Sequence, residues 1–250
     1  MREYLGLPIE STAETIQYNN NDIDVKNIIV YKIKDIQNST LKQDWKNEEN
    51  KIEVFRVYEE VKKTEDKEYW SDIRFDLIVI QPGNLGEEYT KTLGYYRSFA
   101  ENGYRYPEIY QLVVGYAEFV LQQQGEKHEK VRDIVMIRAQ KQDLLAIPPS
   151  YGVTIINPSQ KKTVIARIRA TNAEEITNEY KRTKGECYYK IKDGRWEYNA
   201  NYEEIPALRL GEPQNNWKSM KKGTPIYTSY KYNSKIYNSL AVPDPTEFAI

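Results

Sequence analysis

Few residues of this chain are of the types that perform nucleophilic or acid–base catalysis. The 250 residues include a single histidine, His128, and a single cysteine, Cys187. Ser/His/Asp and Cys/His centres require a histidine base, and His128 lies in a predicted turn over 125–130 without a partner that the sequence identifies. Paired acids such as Glu174-Glu175 are typical of solvated faces. There is also no glycine-rich phosphate loop, so the residues give no support to a nucleophilic enzyme.

A second feature with chemical potential is a segment that interleaves cations with aromatic rings. Residues 213–243 contain five lysines and no acidic residue. Lysines neutralise phosphates and rings stack on unpaired bases, a combination typical of binding to RNA or a ribonucleoprotein. The alternative is that the rings pack as a strap across the fold while the lysines remain in water. The candidate partner-binding residues are Trp217, Lys218, Lys221, Lys222, Tyr230, Lys231, Tyr232 and Lys235.

The overall charge limits what the remaining surface can bind. Lys plus Arg number 36 against 37 for Asp plus Glu, which argues against a protein that coats nucleic acid or membrane over its whole surface. One cysteine permits no intrachain disulfide. The first twenty residues lack a signal-peptide pattern, and no run of eighteen apolar residues occurs. We therefore expect a cytoplasmic protein that does not enter a membrane.

The elements that must position these residues are predicted to be short strands. The composition includes 22 tyrosines and favours strands over long helices. Closely spaced strands and turns indicate an all-β sandwich or barrel. Strands are predicted over 28–33, 52–61, 73–80, 89–93, 108–114, 117–122, 131–138, 144–147, 153–156 and 163–169.

The chain divides into three predicted segments. Residues 1–26 are polar and form an N-terminal arm, 27–210 form the barrel domain, and 211–250 form a basic, tyrosine-rich C-terminal extension. Short helices are predicted at 40–45 and within 172–184, and a hairpin at 187–198. In the extension, Tyr227, Ser229 and Lys231 alternate with other polar and aromatic residues, which would suit a strand added to a sheet edge.

Several motifs follow one another in a fixed order between residues 82 and 153. A Pro-Gly turn at 82–83 precedes Thr92-Leu93-Gly94, then Tyr95-Tyr96-Arg97, then Glu108-Ile109-Tyr110, a glycine turn at 115 and Pro148-Pro149. In order and spacing these motifs resemble the archaeal-type cupin glucose-6-phosphate isomerases over residues 28–200. The resemblance implies a cupin-type double-stranded β-helix, or jelly-roll barrel, with a few short helices and terminal extensions.

The metal-binding positions of that family are changed in this sequence. The family's metal is held by a His-x-His pair, the glutamate of Glu-x-Tyr and a histidine after Pro-Pro, and the corresponding positions here are Tyr95, Arg97, Glu108 and Val153. Arginine cannot ligate a metal because it is not deprotonated in proteins, and valine has no donor atom. We therefore expect no metal, no cofactor and no metal-dependent isomerisation.

The resemblance also implies a sugar-phosphate pocket, whose candidate residues are Thr92, Gly94, Tyr95, Arg97, Glu108 and Tyr110. The sequence is compatible with two arrangements of this pocket. The guanidinium of Arg97 could face the barrel mouth and bind phosphate. Alternatively Arg97 could pair with Glu108 and fill the former metal site with a salt bridge.

Three functions are compatible with this sequence. The first is a non-catalytic cupin, a pseudoenzyme that binds a protein or an RNA partner through its surface and C-terminal extension. The second is an isomerase that interconverts glucose 6-phosphate and fructose 6-phosphate without metal, with Glu108 as base. The third is a structural or assembly protein. Cupins commonly pair through sheet edges, so the resemblance further implies a homodimer.

Overall fold

The structure, a computed structural model, describes residues 1–248 and consists mainly of short strands joined by turns. Its strands are β1 (Glu10–Ser11), β2 (Ile16–Gln17), β3 (Ile23–Asp24), β4 (Asn27–Lys32), β5 (Glu53–Glu59), β6 (Lys62–Lys63), β7 (Ile73–Ile80), β8 (Asn84–Leu85), β9 (Glu88–Lys91), β10 (Tyr96–Arg97), β11 (Glu108–Val114), β12 (Tyr116–Gln124), β13 (Val131–Gln140), β14 (Leu144–Ile147), β15 (Tyr151–Asn157), β16 (Thr163–Ala170), β17 (Glu175–Ile176), β18 (Tyr188–Lys190), β19 (Trp196–Tyr198), β20 (Arg209–Gly211), β21 (Asn216–Trp217) and β22 (Met220–Lys221).

The helices are all short. The α-helices are α1 (Arg2–Leu5), α2 (Ile33–Ile36), α3 (Asn178–Arg182), α4 (Ile226–Tyr232) and α5 (Asn238–Ala241), and 3-10 turns cover Gln37–Ser39, Glu49–Lys51, Thr64–Tyr69, Ser234–Tyr237 and Pro245–Glu247. Within residues 1–248, no helix combines the length and apolar composition needed to cross a bilayer.

Two six-stranded sheets face each other and form the barrel. Sheet A has the order β14-β11-β16-β7-β5-β4, and sheet B has the order β20-β13-β12-β15-β9-β8. Neighbouring strands are antiparallel except β13 and β20, which run parallel. This is the cupin-type jelly roll that the sequence predicts, and the all-β fold class is confirmed.

Three hydrophobic clusters account for the burial of both sheet faces. Tyr110 and Leu112 of sheet A meet Phe119 and Val153 of sheet B in the barrel interior. Both outer faces are covered as well, so β16 is buried along its whole length. Strands covered on both faces read as nearly continuous apolar runs, which explains why their positions were predictable.

The outer face of sheet A is covered by the two ends of the described chain. Leu5 and Ile9 of the N-terminal arm, together with Trp217 and Tyr227 of the C-terminal extension, belong to one cluster with Ile109 of β11. The outer face of sheet B is covered by the hairpin β18–β19 and the residues around it. The extension is thus part of the hydrophobic core of sheet A.

Some local predictions are wrong. Tyr227, Ser229 and Lys231 lie in helix α4, and the predicted strand is absent, because the apolar face of Ile226, Tyr227 and Tyr230 packs on sheet A with helical spacing. Residues 40–45 form no helix. The nearest α-helix is α2, which lies earlier in the chain at Ile33–Ile36. The hairpin at 187–198 is confirmed, and the helix within 172–184 is reduced to α3.

Candidate functional site

One end of the barrel interior is ionic, although the rest is apolar. Side chains two residues apart on a strand point to the same face. Glu108 therefore points into the barrel with Tyr110, and Arg167 with Ile165, whose neighbours are apolar. The ionic end brings together four guanidinium groups and four carboxylates, those of Arg74, Arg97, Arg167, Arg169, Glu59, Asp76, Glu108 and Glu175.

Arg97 and Glu108 form a salt bridge at the positions that the resemblance assigns to metal ligands. Both side chains are 2% exposed. The Nε of Arg97 donates to Oε1 of Glu108 at 2.7 Å, Nη2 donates to the same oxygen, and Nη1 donates to the carbonyl of Ala173 at 3.2 Å. Of the two arrangements considered for Arg97, the structure contains the salt bridge, and this guanidinium does not face an open mouth.

The second oxygen of Glu108 is held by two phenols. Tyr95 donates to Oε2 at 3.0 Å and Tyr110 at 2.9 Å, and the two hydroxyls lie 2.5 Å apart. Burial and the neighbouring Glu108 carboxylate raise the pKa of Tyr95 to about 12, and the same causes raise the pKa of Tyr110 well above its usual range. Both phenols stay protonated at neutral pH and serve as donors to Glu108.

Asp76 on β7 anchors the remaining guanidinium groups. Its Oδ2 accepts from Nη2 of Arg167 at 2.7 Å and from Nε of Arg169 at 3.2 Å, and Arg74 lies 3.0 Å from Oδ1. Burial opposes ionisation of Asp76, but the three guanidinium groups outweigh it and hold the pKa of this carboxyl below its usual range. Arg167 extends the network to the hydroxyl of Tyr95 at 3.1 Å.

The donor set at this end of the barrel does not fit a divalent metal ion. Arg97 occupies one ligand position as a cation, Val153 offers no donor, and both oxygens of Glu108 already accept hydrogen bonds. Among residues 1–248, no group of three or more His, Cys, Asp and Glu side chains is arranged to hold a metal. His128 is outside the motif positions of the sequence, and its ring nitrogen Nε2 lies 3.1 Å from Nη1 of Arg182.

Two other candidate pocket residues have structural contacts. The hydroxyl of Thr92 accepts from the backbone N–H of Ile155 at 3.0 Å. Gly94 lies under the ring of Tyr180, where an added Cβ would come within 2.2 Å of a ring carbon. Because Tyr180 packs over Gly94, any larger residue at this position would displace α3.

The candidate partner-binding residues of the extension fall into three groups. Trp217 and Tyr230 are buried in the cluster on sheet A. Lys218, Lys222 and Lys231 form ion pairs with Glu247, Asp143 and Asp66. Tyr232 is 79% exposed, and Lys221 and Lys235 are also exposed. Within residues 1–248, only this last group is exposed and takes part in no ion pair.

A second buried ionic cluster lies on sheet B. The ammonium of Lys91 contacts the carboxylates of Glu88 and Glu186, the latter at 2.8 Å, and all three side chains are at most 3% exposed. Burial, reinforced by Glu186 and opposed by Lys91, raises the pKa of Glu88 to about 7. Glu88 also accepts from the backbone N–H of Leu41 at 2.6 Å.

Asp76 and its partners Arg167 and Arg169 belong to none of the sequence motifs and were not predicted as site residues. The available signal was the presence of these charges within otherwise apolar strands, since a buried charge must be paired. Which residue pairs with which depends on the register of β16 with β7, where Arg167 lies opposite Asp76.

The family model described as Glucose-6-phosphate isomerase (GPI) matches residues 24–207 of this chain. None of the curated proteins matches it.

Several solved structures resemble about half of the chain. An oxalate decarboxylase from Lactobacillus farciminis, in a formate complex, shares 15% identity over 50% of this chain and 31% of its own, with a TM-score of 0.36. Vicilin from Capsicum annuum shares 15% identity over 49% of this chain and 30% of its own, with a TM-score of 0.36. Peruvianin-I from Thevetia peruviana latex, described as a cysteine peptidase, shares 11% identity over 50% of this chain and 66% of its own, with a TM-score of 0.36. The chain thus matches less than a third of the decarboxylase and of the vicilin.

Proposed function

Since this chain belongs to the glucose-6-phosphate isomerase family, matched over residues 24–207, we propose that it uses the family's barrel as a metal-free binding protein and does not isomerise sugar phosphates. The observation that carries the proposal is the salt bridge between Arg97 and Glu108, in which both side chains are 2% exposed. A substrate would have to displace Arg97 and leave the buried carboxylate of Glu108 with only the more distant Arg167, 3.9 Å away, which is costly.

The alternative function is isomerisation without a metal, with Glu108 as the base. A base needs a carboxylate oxygen within hydrogen-bond reach of the substrate proton. Here Oε1 accepts from Arg97, and Oε2 accepts from Tyr95 and Tyr110. This arrangement favours a structural role for Glu108, although family membership alone is compatible with either function.

A coupled assay separates these two functions. Conversion of fructose 6-phosphate is measured for the purified chain with and without added Fe²⁺, Ni²⁺, Zn²⁺ or Mn²⁺, alongside the Glu108→Gln variant. We expect no conversion under any condition and no metal retained on the purified protein. Conversion that Glu108→Gln abolishes would establish the isomerase. Conversion that survives in the variant would identify a contaminating enzyme.

The proposed partner is a macromolecule, and its expected class is RNA or a ribonucleoprotein. Residues 213–243 contain lysines without acids, and Lys221, Tyr232 and Lys235 are exposed. Co-purification with and without ribonuclease tests the class, since an RNA-dependent association is lost on digestion and a direct protein partner is retained. A chain that binds neither, yet forms ordered oligomers, would favour an assembly role.

Charge reversal tests the surface. We expect Lys221→Glu with Lys235→Glu to reduce RNA capture and to make the remaining capture less sensitive to added salt, because fewer phosphate contacts release fewer counterions. The matched control reverses Lys161 and Lys181, which are equally exposed outside the extension. Equal capture by both double variants would argue against the extension as the binding surface.

A further inference from the structure

A groove with a volume of about 670 Å³ lies at the same end of the barrel as the salt bridge of Arg97 and Glu108. It is formed by the loop after β10, the ends of β12 and β13, the Pro148-Pro149 turn between β14 and β15, and Pro245 and Phe248 of the C-terminal extension. Arg97 and Glu108 do not line the groove, but Arg105 donates to the carbonyl of Arg97, and Pro148 follows Ile147, the β14 partner of Glu108. The groove is therefore a surface feature, separate from the interior pocket that the family resemblance implies.

Exposed aromatic rings form one part of the groove lining. Phe99 is 63% exposed and Tyr104 is 49% exposed. Large apolar rings are seldom left this open without a function when they share one concave surface. Their flat faces suit the stacking of a planar ring, which contributes about 1–3 kcal/mol per base at nucleic-acid sites.

The cations of the groove are arginines. Arg105 is held in place because its guanidinium lies 4.3 Å from the ring centroid of Phe99 and 5.0 Å from that of Tyr96, and its Nη1 donates to the carbonyl of Arg97 at 2.6 Å. The side chain of Arg132, exposed at the start of β13, has no hydrogen-bond or ion-pair partner within residues 1–248. Among the described residues, 1–248, no Asp or Glu lines the groove, so its charge is complementary to an anion.

Amide side chains complete the lining. Gln123 and Gln124, at the end of β12, face the groove and have no side-chain hydrogen bond in the described part of the chain. An amide offers both donors and acceptors, which suits the edge of a base or a ribose hydroxyl. Free arginine, free amides and open rings thus surround one concave volume.

We propose that this groove binds a nucleotide, with its base stacked on Phe99 and Tyr104 and its phosphate on Arg105 and Arg132. This inference deepens the proposed binding function and rests on it. The nucleotide is either free or part of a single-stranded RNA, because the two present the same chemistry. Planar guanidinium groups bind phosphate oxygens in pairs, and rings select a flat partner over an aliphatic one.

Titration with AMP, adenosine, ribose 5-phosphate and a labelled adenine-rich single-stranded oligoribonucleotide tests the groove. AMP is expected to bind more tightly than adenosine or ribose 5-phosphate, because only AMP carries both recognised groups. Arg132→Gln and Phe99→Ala are each expected to weaken binding about tenfold. Both residues are exposed, and circular dichroism checks that the variants fold.

Two matched variants serve as controls. Arg138→Gln removes an exposed arginine from the same strand, β13, outside the groove, and Tyr232→Ala removes an exposed ring from the extension. Neither is expected to change the affinity for AMP. Oligoribonucleotide binding that depends on Arg132 and Phe99 identifies RNA as the source, whereas AMP binding alone identifies a free nucleotide, and either result supports the groove.

Other outcomes overturn the inference. No binding of AMP and oligoribonucleotide, or binding that Arg132→Gln and Phe99→Ala leave unchanged, rules the groove out. RNA binding that Tyr232→Ala weakens while the groove variants do not would place binding on the extension, which leaves the proposed function intact. Isomerase activity that depends on Glu108 would contradict the proposed function independently of the groove.

Discussion

The charges of Arg97 and Glu108 stabilise each other. Each side chain is only 2% exposed, so water cannot replace the partner as a source of hydrogen bonds. Replacement of one member leaves the other as a buried charge with only a more distant counterion, Arg167 at 3.9 Å for Glu108 and Glu175 at 3.4 Å for Arg97. Replacement of both by apolar residues removes the desolvation penalty along with the attraction. The pair is therefore a test of how the ionic end of the barrel is held together.

We expect Arg97→Met to lower the free energy of unfolding by about 3–5 kcal/mol, because the buried Glu108 loses its closest cation and keeps only Arg167, 3.9 Å away. The double variant Arg97→Met with Glu108→Leu is expected to lose less than the single variant. Urea unfolding measured by fluorescence compares the three proteins. With Glu108→Leu as a fourth protein, a loss in the double variant equal to the sum of the two single losses would mean that the two side chains are not energetically coupled.

The raised pKa of Glu88 predicts that the stability of the fold depends on pH. Its pKa is raised from 4.5 in the unfolded chain to about 7 in the fold, so the folded state binds the proton more tightly. Stability from this group is present below pH 4.5 and is lost as the pH rises through about 7. The loss has a slope of at most about 1.4 kcal/mol per pH unit.

Urea unfolding between pH 5 and pH 8 checks this sign. We expect the wild-type chain to lose stability across this interval and Glu88→Gln, which cannot ionise, to show a flatter profile. Glu87→Gln, an exposed neighbour, is the control. A profile that Glu88→Gln leaves unchanged would assign the pH dependence to another group.

The sequence predicted this site only in part. The pairing of Arg97 with Glu108 was among the alternatives because the motif order places them at positions of one shared ligand site. Asp76 was missed because its contacts with Arg167 and Arg169 arise from the lateral register of β7 and β16, and strand register is not visible in a single strand. Phe99 and Arg132 of the groove were missed because a loop residue and a strand residue far apart in sequence come together only in the folded chain.

At the scale of elements, β4 is the outermost strand of sheet A and is unusually apolar for an edge. Ile28, Ile29 and Val30 are 50%, 37% and 37% exposed. Edge strands present unpaired backbone groups and are normally protected by charge or by a partner. We therefore propose β4 as the contact between two copies of the chain, in keeping with the homodimer that the resemblance implies.

We expect the chain to be a dimer in light scattering after size exclusion, and Ile29→Lys to shift it to a monomer, because a charge at the centre of β4 opposes edge pairing. Ile52→Lys is the matched control, since Ile52 is 55% exposed but lies outside β4. A wild-type monomer at micromolar concentration would remove β4 from consideration.

Helix α4 illustrates where local prediction fails. Alternation of Tyr227, Ser229 and Lys231 suggested a strand, but the spacing of Ile226, Tyr227 and Tyr230 is also that of one helical face. Tertiary contacts decide between them, because the ring of Tyr230 lies 4.3 Å from that of Trp70. The main barrel strands were predictable because their short, nearly continuous apolar runs do not show the spacing of a helix with one apolar face.

At the scale of the whole molecule, the C-terminal extension is a component of the fold. Trp217, Tyr227, Tyr230 and Tyr237 are at most 6% exposed and cover sheet A. Deletion of residues 213–250 is expected to expose this face, increase binding of a hydrophobic dye and cause aggregation. The point variant Tyr232→Ala is expected to keep the wild-type stability, because its ring is 79% exposed.

Sedimentation and dye binding of the deletion variant provide the measurement. A truncated chain that unfolds cooperatively at the wild-type urea midpoint would show that the extension only rests on a self-sufficient barrel. The point variants of the extension, rather than its deletion, are the suitable probes of partner binding.

The four guanidinium groups and four carboxylates at the ionic end of the barrel affect the thermal stability of the protein. The free energy of hydrating charged groups becomes less favourable as temperature rises, so the cost of keeping these ions dry decreases on warming. Hydrophobic burial levels off over the same interval. The ionic end should therefore contribute a growing share of the resistance to melting, so that variants of Arg97 lower the melting temperature more than their effect at room temperature suggests.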